Sequence, residues 1–521
     1  MKIALFLIVL MIAVALRVYS MQHYVGVNSN GFNAEPLYGD EAAYYELGRN
    51  VYLGEGPVEY VVWDLWAHNE VPHLHSFWPP FFAYLIGALF YIFGESIFVI
   101  RLFAFIISLL TVILTYYIGS KIYDNKIGLI AMFLIAINPF HIFHSGLIMI
   151  ENLFTFFVLL FIFFAYKSFY HGKLIYWILL GLSLGIATIT RYFGFLLLIG
   201  LMIIIFIRRK NIKISYALIS LIIFLFVILP VGIQTYKNFG SPFYSTSTYM
   251  KYVDHRVSYY EPNPPSLEKY LSRPIGELVY ERLYGVGRVI VLFPQIITPI
   301  IFALLFLSLI FIDRFSKFVL TFFVIFYFFI ILSIGPGYLI GERYLIYFVP
   351  SLLIIAAYSM KSLVDKDNRH IKHAVVAMLI FTFLFSSARI INFFDEYPTP
   401  EQRNILGFND KDIYEMSLWI KRNTHKDDVM MSDSFSISRF FFDRRIVNNP
   451  YPRIISMNLN DYSEEAKTIH IDQAKKFNVS YLMITPRSGD REEILYGFSE
   501  FEPELIKNIS GVYLYKLDKS K

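Results

Sequence analysis

The chain has 521 residues, 56% of them hydrophobic and only 17% charged, and carries a formal net charge of +5. So little polar side chain cannot cover a soluble protein of this length, which excludes the soluble globular classes. There is no cysteine, which excludes disulfides, thiolate metal sites and a cysteine nucleophile.

Runs of about 18 or more residues with few charges recur, as membrane-spanning helices require. The first, "MKIALFLIVLMIAVALRVYS", opens like a signal peptide, but no small-residue cleavage signal follows it, so it reads as a retained first helix. Further spans are predicted at 97–120, 127–141, 152–166, 174–189, 193–207, 214–234, 289–312, 318–334, 345–360 and 374–389, which with 3–20 makes eleven. The segment "PPFFAYLIGALFYIFGES" (79–96) has a shorter apolar core. Counting it as a span moves every later basic loop outside. The positive-inside rule therefore makes it a juxtamembrane helix of the first external loop, 21–96. The amino terminus is then cytoplasmic and the carboxyl tail external, in a multi-pass protein of the cell membrane. The loop at 21–78 holds Glu35, Asp40, Glu41, Glu46, Glu55, Glu59, Asp64 and Glu70 against Arg49 alone. From about 390 the pattern changes to an amphipathic helix and short strands such as "VSYLMITP" and "GVYLYKLD". The division expected is a membrane domain, 1–389, and a small external α/β domain, 390–521.

Residues able to do chemistry gather in the outer segments. In "YGDEAAYYELGRN", Asp40 takes the N-cap position of a helix over 41–53, with Glu41 beside it on the helix dipole. An N-cap carboxylate is held rigidly and is able to face a cavity. Glu151 follows "NPFHIFHSGLIMI" at the start of a span, with His141 and His144 nearby. Arg101, Arg191 and Arg343 mark outer helix ends, where an arginine either snorkels to the interface or holds a lipid phosphate. Arg343 stands beside Gly341, Tyr344 and Tyr347. His73 and His75 are substrate or metal candidates, with Tyr344 also placed at the substrate. A divalent ion is the one cofactor the histidines leave open, although no full ligand set is visible. No dinucleotide fingerprint, Walker A loop, zincin helix or nucleophile elbow occurs.

The order of these elements resembles the C-type membrane glycosyltransferases (the GT-C fold). It runs from an acidic pair after the first span to a Pro-Pro helix ending "FGES", then "RLFAFIISLLTVILTYYIGSKIY", "ENLFTFF" and the late "ERYLIYFVPSLL". It is most similar to the dolichyl-phosphate-mannose protein mannosyltransferase group (glycosyltransferase family 39) and to the aminoarabinose transferases of lipid A. The likeness is strongest over residues 1–200. It implies an outer catalytic cleft and a polyprenyl-phosphate-linked sugar donor. It also implies catalytic carboxylates at Asp40, with Glu41 as neighbour, and Glu151, and lipid-phosphate binding at Arg343 with Arg191 and Arg101. One departure is Trp78, where many relatives have a basic residue or histidine before the Pro-Pro pair; His75 is the candidate substitute. The Trp-Trp-Asp acceptor motif of oligosaccharyltransferases is absent.

The function expected is transfer of a monosaccharide to an external hydroxyl of a protein, lipid or glycan, with inversion. No nucleic acid is expected as a partner. A transporter or lipid flippase is the alternative, because Pro294 and Pro299 interrupt one span.

Overall fold

The structure is a computed structural model that describes residues 2–23, 39–62, 66–252, 264–308, 311–334, 341–365, 369–395, 410–432, 443–449, 464–485 and 491–518. Glu35 and Asp64 of the acidic loop lie outside them. In chain order the membrane part consists of α1 (Lys2–Gln22), α2 (Gly39–Tyr52), α3 (Phe81–Phe93), α4 (Ile97–Ile122), α5 (Asn125–Ala136), α6 (Pro139–His144), α7 (Glu151–His171), α8 (Leu174–Thr190), α9 (Gly194–Arg208) and α10 (Ile214–Phe239). It continues with α11 (Leu267–Leu271), α12 (Ile275–Ile297), α13 (Pro299–Ser308), α14 (Arg314–Ser333), α15 (Val349–Val364) and α16 (Arg369–Asp395).

Among the described residues, seven helices are long and apolar enough to cross a membrane, or eight with the bent pair α12–α13. The other three expected spans correspond to α5, α8 and α9, of 12, 17 and 15 residues. The single span expected over 289–312 is corrected. It is two helices bent by 112°, with Thr298 at φ 71° between them. Pro299 opens α13, and a residue before proline is driven out of the helical region. The span expected at 127–141 likewise ends early. Asn138 caps α6 by accepting from the His141 amide, with Pro139 at its first position.

Burial orders the bundle. The spans of α15 and α7 are 83% and 61% buried, whereas those of α1, α10 and α16 are 22% buried. The first two therefore form the centre, and the last three present apolar faces outward, as lipid-facing helices do. Arg17, inside α1, is buried in the bundle. It donates to Ser108 Oγ at 2.7 Å and to the carbonyls of Ala13, Ala136 and Ile135, with His141 Nδ1 at 2.8 Å. The carbonyls at the end of α5 carry the negative end of its dipole, so they hold this cation without a carboxylate.

Above the bundle, α2 lies on α3. The contact is close because both helices place glycine there. A Cβ on Gly48 would strike Ile86, and one on Gly87 would strike Val51 and approach the Gly48 carbonyl at 3.2 Å. α3 has 13 residues, about 20 Å of helix, short of a hydrocarbon core of about 30 Å. Its packing against α2 matches the juxtamembrane placement. Asp40, expected at the N-cap of α2, lies inside the first turn, one residue beyond Gly39.

A sheet joins two distant parts of the chain. Strands β1 (Val58–Glu59), β2 (Val61–Val62) and β3 (His73–Leu74) belong to the first loop. The carboxyl-terminal part adds α17 (Asp410–Asn423), β4 (Val429–Ser432), β5 (Arg445–Asn448), α18 (Glu464–Lys476), β6 (Tyr481–Ile484), α19 (Arg491–Gly497), β7 (Glu504–Ile509) and β8 (Val512–Lys516). The six-stranded order is β2-β5-β4-β6-β8-β7, parallel from β2 to β6 and antiparallel beyond. Val61 pairs with Ile446, and Val62 with Val447. Both valines are buried in the cores on the two faces of this sheet. The α/β unit expected from 390 onward thus includes an edge strand from residues 61–62.

Candidate active site

Asp40 projects from the first turn of α2 and forms an ion pair with Arg343, which sits in a 3₁₀ turn, Glu342–Tyr344, just before α15. Both side chains keep solvent exposure, 27% for Asp40 and 37% for Arg343, so a substrate is able to reach the pair. Arg343 Nη2 also donates to the Tyr344 hydroxyl at 3.2 Å.

A second pair stands beside the first. Glu151 is the first residue of α7, and Arg191 is the extended residue that closes α8. Arg191 Nη1 donates to Glu151 Oε1 at 2.7 Å. The guanidiniums of Arg191 and Arg343 each lie 5.1 Å from the Tyr344 ring centre, so this tyrosine links the two pairs. Arg191 also faces the Phe193 and Tyr347 rings, at 5.2 and 5.7 Å. Arg343 lies within electrostatic reach of both Asp40 and Glu151. The two carboxylates predicted from separate loops therefore share one site with the late arginine. Glu151 Oε2, the Tyr347 hydroxyl and the Asn152 amide are buried there without a hydrogen-bond partner among the described residues. Leaving such groups unpaired costs about 1–3 kcal/mol each.

Glu41 and Arg101, expected as a second catalytic acid and a phosphate ligand, have a different position. Neither exposes any surface. Glu41 Oε1 lies 3.7 Å from Arg101 Nη2 and accepts from the Ile148 amide at 2.8 Å. Arg101 Nη1 donates to the Gly146 carbonyl. The pair ties α2 to α4 and to the loop before α7, and so fixes where Asp40 and Glu151 stand.

His73 and His75 are likewise engaged. His73 sets its ring nitrogens against the Leu74 and Val61 carbonyls at 3.2 and 3.0 Å. His75 Nδ1 meets Glu59 Oε2 at 2.8 Å, and its Nε2 accepts from the Trp78 amide at 2.9 Å. His75 therefore supports the backbone at Trp78 and does not stand in for a basic residue there. Burial pushes the Glu59 carboxyl up, but the imidazoles of His75, His73 and His68 outweigh it and hold it below the usual carboxylate range. Among the described residues no group of three or more histidines and carboxylates is placed to hold a metal. Asp40 and Glu151 each face an arginine, so the donor set does not fit a divalent ion.

Tyr44 was not singled out in the sequence. It follows Asp40 by one turn, its ring lies 4.5 Å from that of Trp78, and it is within electrostatic reach of Asp40, Glu151, Arg191 and Arg343. Burial pushes its phenol well above the usual range, so it stays a hydroxyl. The available signal was the spacing, since residues four apart share a helix face.

This arrangement sits in a fold with known counterparts. ArnT from Cupriavidus metallidurans, in a crystal structure with undecaprenyl phosphate, superposes with a TM-score of 0.62 at 10% identity, covering 99% of this chain and 98% of that one. The chain has the GT-C glycosyltransferase fold. The Archaeoglobus fulgidus oligosaccharyltransferase in its apo form also reaches a TM-score of 0.62, at 17% identity over 93% of this chain and 69% of that one. The same organism's AglB, in complex with an inhibitory peptide and a dolichol-phosphate, gives 0.60 at 16% identity, over 99% and 74%. The family model for dolichyl-phosphate-mannose-protein mannosyltransferase matches residues 78–233, from the start of α3 into α10. No curated protein matches the sequence significantly. The GT-C likeness expected from the order of motifs is thus borne out, and the shared fold spans nearly the whole chain.

Proposed function

We propose that the chain is a membrane glycosyltransferase that moves a monosaccharide from a polyprenyl phosphate to a hydroxyl on the outer side of the membrane. The observation that carries this reading is the pair of carboxylate–arginine contacts, Asp40–Arg343 and Glu151–Arg191, joined through Tyr344 in one partly open site. The lipid phosphates bound by the ArnT and AglB structures support a lipid-linked donor.

A sugar bonded to phosphate already has a good leaving group, so the demand falls on the nucleophile. Asp40 takes the proton of the acceptor hydroxyl, which is worth about 10²–10⁴ in rate. Arg343 meets the charge that grows on the departing phosphate, with Arg191 behind it. In the substrate complex Arg343 moves from Asp40 toward phosphate and frees the carboxylate. Glu151 Oε2, buried and unpaired, accepts from a substrate hydroxyl and orients it. Attack opposite the phosphate inverts the anomeric centre. In this reading the amino terminus is cytoplasmic, and the acidic first loop and carboxyl-terminal sheet face outward.

The transporter alternative has the broken span α12–α13 in its favour. It leaves the outer ion pairs without a role. The test is incubation of the purified protein in lipid vesicles with polyprenyl-phosphate monosaccharides and, separately, with nucleotide sugars. Consumption of a lipid-linked donor with release of polyprenyl phosphate is expected. Turnover of nucleotide sugars alone would overturn the donor assignment.

A further inference from the structure

A shallow, partly open cleft lies where the first loop meets the outer end of α10. Trp78, Tyr192, Gln234, Thr235, Asn238 and Tyr244 line it, and none of its lining residues among the described residues is Asp, Glu, Lys or Arg. His75 also borders it, with both ring nitrogens already engaged. The Trp78 indole N–H, the Tyr192 hydroxyl and the Asn238 amide have no hydrogen-bond partner among the described residues. Burial pushes the Tyr192 phenol up to about 12, so it remains a hydroxyl.

The cleft adjoins the charged site through two of its lining residues. Trp78 lies against Tyr44, one turn from Asp40. Tyr192 follows Arg191, the partner of Glu151.

We propose that this cleft is the acceptor subsite and that it takes a neutral sugar ring, so that the acceptor is a saccharide or a glycolipid head. The inference rests on the glycosyltransferase reading. Aromatic faces cover the C–H side of a sugar, while neutral amides and hydroxyls match its ring of hydroxyls. The donor sugar is one bond from phosphate, so it belongs beside Arg343, and among the described residues no arginine lines the cleft. A charged head group would find no counter-ion among the described residues there.

The test is binding of simple methyl glycosides (mannoside, glucoside, galactoside and N-acetylglucosaminide) to the purified full-length protein by saturation-transfer NMR. It is repeated with Tyr192→Phe and Asn238→Ala. Neither substitution endangers folding, since the first removes one oxygen and Asn238 is exposed. At least one glycoside should bind saturably and lose about tenfold in affinity in each variant, as the loss of one or two hydrogen bonds predicts. It should stay bound when a polyprenyl-phosphate monosaccharide is added. Displacement by that donor, but not by polyprenyl phosphate alone, would assign the cleft to the donor sugar and overturn the acceptor assignment. Binding of a serine- or threonine-containing peptide that both variants weaken, with no glycoside bound, would overturn the saccharide assignment. The absence of any binding would overturn the subsite. Failure of the glycosyltransferase reading would appear separately, as no release of polyprenyl phosphate from any lipid-linked donor.

Discussion

Glu41 and Arg101 hold each other in a fully buried contact, Glu41 also accepts from the Ile148 amide, and Arg101 donates to the Gly146 carbonyl. Removing one partner of such a pair leaves a buried charge without compensation. Glu41→Gln is therefore expected to cost about 3–5 kcal/mol and to lower the melting temperature in detergent. Replacing both with apolar residues of similar size should recover much of that loss, which separates a positional role from a chemical one. An unchanged melting temperature in the single variant would show that the pair does not hold α2. At this scale the sequence went far. Asp40, Glu151, Arg191 and Arg343 were legible because charged side chains at helix ends beside a membrane are rare and have few reasons to be there. What the pattern could not separate was which acid of the Asp40–Glu41 pair faces outward. Adjacent residues on a helix point about 100° apart, and only the partner, Arg343 or Arg101, decides.

The helix that carries Asp40 is set by glycine. Gly48 and Gly87 let α2 and α3 approach until each helix meets a branched side chain of the other. Gly87→Ala pushes Val51 and with it α2. The expected stability cost is about 1–3 kcal/mol. A shift of about 1 Å at Asp40 is expected to cost around 10²-fold in turnover, more than the stability loss alone explains. Transfer rate measured beside thermal melting checks this, and a rate that merely follows stability would contradict it. Among the elements, those with strong local signals were legible. The breaks at Asn138–Pro139 and Thr298–Pro299 carried prolines, but long apolar runs on either side masked them. Strand β2 had no local signal at all. Two valines become a strand only because β5, from the far end of the chain, pairs with them.

On the scale of the whole molecule, the sheet locks the first loop to the carboxyl-terminal part. Beyond the β2–β5 ladder, Lys476 Nζ donates to the His68 carbonyl at 2.9 Å, and Arg49 Nη1 approaches Asp443 Oδ1 at 3.5 Å. His68 stacks on His73 at 3.4 Å. Burial first, and then the neighbouring His73, lower the His68 pKa from 6.5 to about 3. Between those values the unfolded chain binds a proton that the folded chain refuses, so stability falls as pH drops. Glu59, whose folded value is also depressed, acts in the same direction at lower pH. The docking of the loop is therefore expected to be complete above about pH 6.5 and to weaken progressively toward pH 3. Hydrogen exchange of residues 58–62 and 445–448 measures this, and His68→Gln should flatten the profile. A wild-type profile flat across that range would refute the linkage. The membrane class and the order of spans were legible from hydropathy and loop charge, which are properties of whole segments. The long-range docking was not, because it depends on pairing between residues that the chain brings together only once folded.

The convergence of Asp40 and Arg343 is tested most directly by steady-state transfer from a polyprenyl-phosphate monosaccharide to a hydroxyl acceptor, comparing the wild-type chain with Asp40→Asn. This substitution keeps the side chain's size and removes its basicity. The account predicts that kcat falls by about 10²–10⁴ while the KM for the lipid-linked donor changes little. Equal kcat in the two proteins would contradict it.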